Sequence, residues 1–196
     1  MNVEKIKCAS TKFLGKNVVY YDEINSTQDI IRNLAEKKVE NGTLVIASNQ
    51  TAGHGTKGKT WSVEKGKNIT MSFVIYPKCK PEKLNGITVG IAEAIIEAID
   101  ELYAYKLNLK EPNDIMLNGK KICGILTQSV TLEEVVSYVV IGIGFNVNQV
   151  DFSGEIANIA TSLKKEFNIE FKREEIIAKI LEKIEQLLLK SFDWSV

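Results

Sequence analysis

The segment from residue 115 to residue 143 constrains the fold most strongly, because a hairpin signal is followed there by a long apolar run. Residues 115–117 and 122–128 flank Asn118-Gly119, a pair that accepts the positive φ angles of a type I′ turn. Residues 135–143 form the apolar run, which predicts a buried strand in the centre of a sheet. Antiparallel neighbours are therefore expected in this part of the chain.

Helices and strands interleave along the rest of the sequence. Apolar residues at helical spacing run from Leu84 to Leu102 and again through residues 172–192. A shorter helix should follow the cap-type residues Asn25, Ser26 and Thr27. The other strand-like segments are residues 18–24, 43–48, 69–76 and 105–109. This order predicts an α+β fold in a single domain, residues 1–196, with a mixed, largely antiparallel β-sheet and helices packed on one side.

The composition narrows the classes of partner. Lys plus Arg and Asp plus Glu number 25 each, a balance that argues against DNA or an anionic membrane as the main partner. The three cysteines and the single histidine have no metal-ligand spacing, which argues against a zinc site or a disulfide framework. Free thiols, together with the lack of a signal peptide or a membrane-spanning run, predict a cytoplasmic protein.

The first segment that carries chemistry is the loop of residues 50–61, which holds glycines at positions 53, 55 and 58. Closely spaced glycines let backbone N–H groups turn towards an anion without a Cβ clash. The charged and aromatic side chains of the loop are Lys57, Lys59 and Trp61. The spacing fits neither a Walker A loop nor a dinucleotide fingerprint. A phosphate-binding loop and a flexible surface loop with scattered lysines both stay open on these grounds.

The second segment surrounds the hairpin. Pro112 favours extended geometry before it, so Asn113 and Asp114 should form a turn that enters a strand. Lys121 begins the return strand opposite that turn, where a carboxylate and an ammonium can converge on a phosphate and its metal ion. An ordinary hairpin with solvated lysines is the alternative that this segment alone favours.

The third segment ends the apolar run. Gly142 and Gly144 interrupt it, and glycine within a strand permits the close approach of a ligand or of another backbone. Asn146 then places a polar side chain at the end of the strand. A strand with a bulge is the alternative interpretation.

Taken together and in this order, the segments resemble the catalytic domain of biotin protein ligases, from about Val18 to the C-terminus. The resemblance includes Ser26-Thr27-Gln28, Gln50, the glycine loop that ends in Trp61, Pro112-Asn113-Asp114, the strand that starts at Lys121, and Gly142-Ile-Gly-Phe-Asn146. It implies a class II synthetase-like sheet with a ligand cleft on it.

The resemblance also implies a reaction and a set of site residues. Biotin would be activated by ATP as biotinyl-5′-AMP and passed to a lysine of the biotin carboxyl carrier domain of a carboxylase. Lys121 and Asp114 would be catalytic, Lys121 by neutralising charge in the transition state and Asp114 by holding Mg²⁺, with no tightly bound metal. The implied biotin-binding residues are Ser26, Thr27, Gln28, Gln50, His54, Gly55, Thr56, Lys121 and Gly124, with His54, Gly55 and Thr56 acting chiefly through backbone amides. The implied ATP-binding residues are Lys57, Lys59, Trp61, Lys110, Asn113 and Asn146.

The sequence departs from the family pattern within the loop. His54, Thr56 and Lys59 stand where the family has arginines. Lysine keeps the charge but loses the bidentate fork of arginine, and Thr56 keeps neither. Looser retention of the adenylate is therefore expected. Glu111 also replaces the usual tryptophan before the Pro-Asn-Asp turn.

Two alternative functions share these features. A lipoate ligase or an octanoyl transferase has the same architecture, and the transferase would need Cys123 as a nucleophile, although a small core residue is the more economical interpretation of that cysteine. A catalytically silent module that binds biotin or an adenylate is the second alternative. We also expect no N-terminal DNA-binding domain and no C-terminal small barrel, while a free sheet edge leaves a homodimer open.

Overall fold

The computed structural model describes residues 1–193, in which seven strands form one sheet. The strands are β1 Val18–Ile24, β2 Leu44–Gln50, β3 Ile69–Ile75, β4 Asn108–Lys110, β5 Asp114–Leu117, β6 Lys120–Leu132 and β7 Val135–Phe145. The α-helices are α1 Val3–Lys7, α2 Thr27–Glu36, α3 Ile87–Tyr103, α4 Leu163–Phe167 and α5 Arg173–Ser191. Short 3-10 helices span Thr56–Gly58, Pro81–Leu84 and Gly154–Ile156.

The sheet has the order β1-β2-β3-β7-β6-β5-β4. Only β1 and β2 pair in parallel among these strands, so the prediction of a mixed, largely antiparallel sheet is confirmed. The apolar run forms β7, which lies between β3 and β6 as a central strand should. The hairpin of β5 and β6 turns at Asn118 and Gly119, whose φ angles are 49° and 76°, as the Asn-Gly signal indicates.

Helices cover both faces of the sheet, so the prediction that they pack on one side is wrong. Helices α1, α3 and α5 bury one face in the main core, where Ile95 and Ile180 pack with Phe73. Helix α2 packs on the opposite face, where Ile31 meets Val74. Successive strand residues point to opposite faces, so the mostly apolar strands β2, β3 and β7 supply apolar side chains to both sides.

Two short helices, α1 and α4, escape sequence-based prediction, and the strand expected at residues 105–109 forms three residues later, at Asn108–Lys110. Tyr105 does not join the sheet, because its ring stacks on Phe167 of α4 with the centroids 3.5 Å apart. Aromatic packing against α4 thus keeps Tyr105 out of the strand that propensity alone predicts for residues 105–109.

Helices α3 and α5 pack along one another, and their acidic residues form ion pairs and hydrogen bonds with neighbouring segments. Lys183 of α5 lies 2.8 Å from Glu97 of α3 and also contacts Glu101. Glu185 is buried and accepts hydrogen bonds from the backbone N–H groups of Phe13 and Leu14, at 2.9 and 2.8 Å, and of Lys12. The N-terminal segment is therefore fixed to α5. Within residues 1–193 no helix is both long enough and apolar enough to cross a membrane.

Candidate functional site

A strip of glycines opens a cleft on the α2 face of the sheet. Gly142 and Gly144 lie two residues apart on β7, so both face this side, and Gly124 of β6 pairs with Gly144. A Cβ on Gly142 would come within 2.5 Å of Gln28 Oε1, and one on Gly144 would overlap the ring of Trp61. The glycines therefore permit side chains from α2 and the loop to lie directly on the sheet.

The first cavity lies over this strip and has about 440 Å³ of empty space. Helix α2 begins at its inner end, where Ser26 caps the helix and accepts a hydrogen bond from Gln28 N. Gln50 Oε1 accepts hydrogen bonds from the backbone N–H and the hydroxyl of Thr27, at 2.7 and 3.0 Å. Every predicted biotin-binding residue lines this cavity: Ser26, Thr27, Gln28, Gln50, His54, Gly55, Thr56, Lys121 and Gly124.

Ser72 on β3 also belongs to this polar end, and sequence reasoning missed it. Its hydroxyl lies 2.8 Å from the hydroxyl of Thr27 and donates to Gln28 Oε1 at 3.0 Å. Thr70, two residues earlier, lines the cavity as well. The available signal was the alternation of small polar residues within an apolar strand, since positions i and i+2 share a face.

Gln28 is held from its other side by a second set of polar groups. Its amide Nε2 donates to Gln128 Oε1 at 3.1 Å, and Arg32 one turn along α2 donates to the same oxygen. Gln128 lies on β6, 100 residues away in sequence. Because both ends of the Gln28 amide have partners, its orientation towards the cavity is fixed.

The glycine loop, residues 50–61, folds back on itself. Gly55 N donates to Lys59 O at 2.7 Å and Trp61 N donates to Gly53 O at 2.9 Å, around the 3-10 turn Thr56–Gly58. The expectation that Gly55 offers a free amide to a carboxylate or phosphate is therefore wrong for this conformation. The loop is an ordered small hairpin, and Gly55 and Thr56 contribute to the site as walls of the cavity.

The side chain of His54 reaches across the cavity mouth. Its Nε2 lies 2.9 Å from Asp29 Oδ2 on the first turn of α2, and both side chains are about half exposed, at 47% and 44%. The side chain of Lys57 lies outside the described residues, so the prediction that it binds ATP is not addressed.

A β-bulge aims Lys121 into the cleft. Cys123 pairs with Ile115 and Lys121 pairs with Met116, so Ile122 is an extra residue in the ladder. Without it, Lys121 and Gly124 would face opposite sides of the sheet. Lys121 Nζ lies 2.6 Å from Asp114 Oδ1, and the ammonium is 5.5 Å from the centre of the Trp61 ring.

The backbone of Lys121 is also anchored. Its N–H donates to Ile159 O at 2.8 Å, and its carbonyl accepts from Thr161 N at 2.9 Å. Strand pairing and these two hydrogen bonds together fix the backbone of Lys121, so its side chain extends into the cleft from a fixed position. Lys121 is one of the residues that line both cavities of the site.

The second cavity adjoins the first and has about 1230 Å³ of empty space. The two share Gly55, Thr56, Trp61 and Lys121. The predicted ATP-binding residues that line the second cavity are Lys59, Trp61, Lys110 and Asn146, and Asp114, the predicted metal ligand, lines it as well. Its apolar wall, which sequence reasoning missed, comes from Met116, Phe152, Ile156 and Ile159.

Two predicted nucleotide contacts are placed differently from expectation. Asn113 lines the first cavity, and its amide donates to Ile125 O at 3.1 Å. Asn146 borders the second cavity, yet it is buried. Its Oδ1 accepts a hydrogen bond from Asn68 Nδ2 at 3.2 Å, and its Nδ2 donates to Thr161 O at 3.0 Å. Asn146 therefore ties three segments together.

Cys123 does not have the properties of a nucleophile. Its side chain is fully buried in the main core on the far side of the sheet from the cleft. Burial raises the pKa of the Cys123 thiol far above its ordinary value, because an apolar environment disfavours the thiolate. The interpretation as a small core residue is confirmed.

Comparison with known proteins agrees with this geometry. A model of the biotin/lipoate A/B protein ligase family matches residues 20–146. The bifunctional ligase/repressor BirA of Bacillus subtilis is 38% identical over 173 residues, which cover 87% of this chain and 53% of that protein. The biotin–[acetyl-CoA-carboxylase] ligase of Mycobacterium tuberculosis is 27% identical over 170 residues, or 85% of this chain and 61% of that protein. The chain thus spans between half and two thirds of the length of these relatives.

Solved structures show the same architecture. Biotin protein ligase from Aquifex aeolicus, in complex with biotin and ATP, superposes with a TM-score of 0.77 at 30% identity, over 92% of this chain and 73% of that one. The ligase from Leishmania major, in complex with biotinyl-5-AMP, gives 0.69 at 26% identity, over 90% and 80% of the two chains. Because the family model covers more than half of the sequence and the fold agrees, the chain belongs to the biotin/lipoate A/B protein ligase family.

Proposed function

We propose that this chain activates biotin with ATP and transfers it to a lysine of a biotin carboxyl carrier domain. The observation that carries the proposal is the meeting of two cavities at Lys121, one with a polar inner end and one bordered by lysines. A ligase of this kind must hold two substrates so that their reactive groups touch. The Aquifex aeolicus relative binds biotin and ATP together, which supports the proposal.

The first cavity suits biotin because its polar groups are concentrated at one end. A ureido ring presents N–H donors and one carbonyl acceptor, and it needs matching partners inside an otherwise apolar pocket. The hydroxyls of Thr27 and Ser72 and the amide of Gln50 supply such partners, and hydrogen bonds among them hold all three in place. With the ring at this end, the valeryl chain would run along the glycine strip towards Lys121.

The second cavity suits a nucleotide. Lys59 and Lys110 supply positive charge for phosphates, and Trp61, Phe152 and Ile156 offer flat or apolar surfaces to a base. Lys165 lies over the Phe152 ring, with Nζ 5.2 Å from its centre, and this contact helps to hold the ring in place.

Activation joins the two substrates at the junction. A carboxylate oxygen of biotin attacks the α-phosphorus, the bond from that phosphorus to the bridging oxygen breaks, and pyrophosphate leaves. Two anionic groups must approach one another in this step, so a fixed cation between them stabilises the transition state more than the ground state. We assign this role to Lys121, whose contact with Asp114 holds the ammonium where the two cavities meet.

Transfer follows from the mouth of the cleft. The amine of a carrier lysine attacks the acyl carbon, the acyl–oxygen bond breaks, AMP leaves, and the amine loses a proton. Lys121 would neutralise the phosphate of the leaving AMP. Biotinyl-5-AMP is the ligand bound by the Leishmania major relative, which supports an adenylate route.

Mg²⁺ would enter this site as a companion of ATP, beside the carboxylate of Asp114. In phosphate sites Mg²⁺ binds through one or two carboxylates together with phosphate oxygens. Asp114 is the carboxylate that borders the second cavity, so it would supply one oxygen to such an ion.

The alternatives have less support. Burial of Cys123 removes the nucleophile that an octanoyl transferase needs. A lipoate ligase would bind a ligand without a ureido group. Such a ligand would leave the polar groups at the inner end of the first cavity without partners. A silent binding module would not need Lys121 and Asp114 paired at the junction of the two cavities.

The proposal is tested by the mass of a carrier domain after incubation with the protein, ATP, Mg²⁺ and either biotin or lipoate. We expect the carrier to gain one biotinyl group and no lipoyl group. A carrier modified by lipoate, or left unmodified with both acids, would contradict the proposal. Lys106→Ala serves as a matched control, because Lys106 forms an exposed ion pair with Asp100 away from both cavities.

A further inference from the structure

The glycine loop is well bonded within itself and is attached to the rest of the protein at its two ends, the second of which is the Trp61 ring on the sheet beside Gly144. At its base, Thr51 N donates to Ile24 O and Ala52 N donates to Asn25 O, each at 2.9 Å. Beyond the base, the hydrogen bonds of Gly55, Lys59 and Trp61 stay inside the loop. A segment of this kind moves as a unit about its base unless something fixes its far part.

The contact between His54 and Asp29, called the clasp here, supplies that attachment. Among the described side chains of residues 54–60, it is the one hydrogen bond to the body of the protein, with Nε2 and Oδ2 2.9 Å apart. The backbone bridge of His54 is to Thr60, within the loop. The far part of the loop is therefore tied to the sheet and helices through one polar contact.

Asp29 occupies a particular place in the site. It follows Thr27 and Gln28 directly in the first turn of α2, and these two residues line the polar end of the first cavity. Gly55 and Thr56, next to His54, line both cavities. The clasp thus connects the first turn of α2, which would hold one end of the ligand, to the loop residues Gly55 and Thr56, which would enclose its reacting end.

We propose that Asp29 is a positioning residue that, through His54, keeps the glycine loop closed over the bound adenylate. The identity of the ligand in this inference rests on the proposed function, whereas the contact between Asp29 and His54 does not depend on it. The ring of His54 contacts Asp29. The histidine therefore acts on the position of the loop.

The size of the effect follows from the exposure of the pair. Both side chains are about half exposed, at 47% and 44%, so water screens their attraction. A contact of this kind changes an equilibrium constant by a factor of about two to five. Loss of the clasp should therefore speed the escape of biotinyl-adenylate about two- to fivefold. In Asp29→Ala, at a residue that lines neither cavity, the rate of pyrophosphate release in a single turnover should stay within about twofold.

The test compares Asp29→Ala, His54→Ala and the double variant in two measurements. Hydrogen exchange of the loop amides in the ligand-free protein reports the contact without any catalysis, and a chase experiment reports adenylate escape. Each single variant should increase both the exchange rate of the loop amides and the rate of adenylate escape. The double variant should show the same rates as the single variants, because both substitutions remove one shared contact. Asp29→Asn keeps an oxygen that accepts from the imidazole N–H, so it should restore most of the loop protection. Asp22→Ala, which removes an exposed pair with Lys65 at 2.6 Å, is the matched control.

The outcomes separate the two proposals. Additive effects of the single substitutions, or loop amides whose exchange is unchanged in Asp29→Ala, would overturn the clasp. Faster loop exchange in a protein that forms no biotinyl-adenylate would support the clasp and contradict the proposed function.

Discussion

The glycine at position 144 provides a sharp test of how the cleft is built. A Cβ at this position would overlap the ring of Trp61, so Gly144→Ala forces the ring to move. Introducing a methyl group into a packed contact costs about 1–3 kcal/mol. Trp61 lies on a loop and is partly exposed, so the ring can swing outward without disturbing the core.

The cost should therefore appear in ligand binding and much less in folding. Because 1.4 kcal/mol corresponds to a factor of ten, we expect the dissociation constant for biotin to rise about five- to 150-fold. The free energy of unfolding in urea should fall by less than about 1 kcal/mol, since the main core lies on the other face of the sheet. Calorimetric titration with biotin and urea unfolding measure the two quantities separately.

A second substitution identifies the cause. In a Trp61→Leu background the ring is gone, so adding Gly144→Ala should change biotin affinity by less than about twofold. A loss of affinity as large as in the wild-type background would refute the reasoning, because the methyl group would then act on something other than the ring. Wild-type affinity in Gly144→Ala alone would refute it as well.

Three further substitutions test separate parts of the structure. Ser72→Ala removes the hydroxyl between Thr27 and Gln28, and biotin affinity measured by calorimetry should fall about five- to tenfold with little change in ATP affinity. Glu185→Ala leaves backbone donors of the N-terminal segment unpaired and should lower the free energy of unfolding by at least about 2 kcal/mol, whereas the exposed neighbour Gln186→Ala should not. The pKa of Glu166 is lowered because the Thr161 hydroxyl donates to its carboxylate. A lowered folded-state pKa stabilises the fold above the unfolded value of about 4.3 and loses that effect as the pH falls through the folded value, so wild type should exceed Glu166→Gln in stability at pH 7 and match it near the acid end of the transition.

The parts of the fold that sequence predicts well are those fixed by local chemistry. The Asn-Gly turn, the cap at Ser26 and the apolar strand β7 each depend on a few neighbouring residues, and each is confirmed. The side of the sheet on which α2 packs depends on which face of several distant strands is free, so local periodicity does not determine it. For the same reason local propensity predicts a strand at Tyr105, whereas in the structure its ring stacks on Phe167.

The candidate site shows the same division. Motifs indicate Gln50, Lys121 and the glycines, because their residue types and order are distinctive. Ser72 is an inconspicuous polar residue in a strand, and its role appears only when β3 lies beside Gly142 of β7. The bulge at Ile122 that aims Lys121 also depends on strand pairing, which spacing along the sequence does not reveal.

The central claim is that Lys121 lies where two bound substrates react. Its most direct test is biotin-dependent release of pyrophosphate from ATP in a single turnover, compared between wild type and Lys121→Ala, with binding of biotin and ATP measured for both. We predict that the variant binds both substrates within about tenfold of wild type and releases pyrophosphate at least about a hundredfold more slowly. Release at the wild-type rate by a folded Lys121→Ala variant would contradict the account.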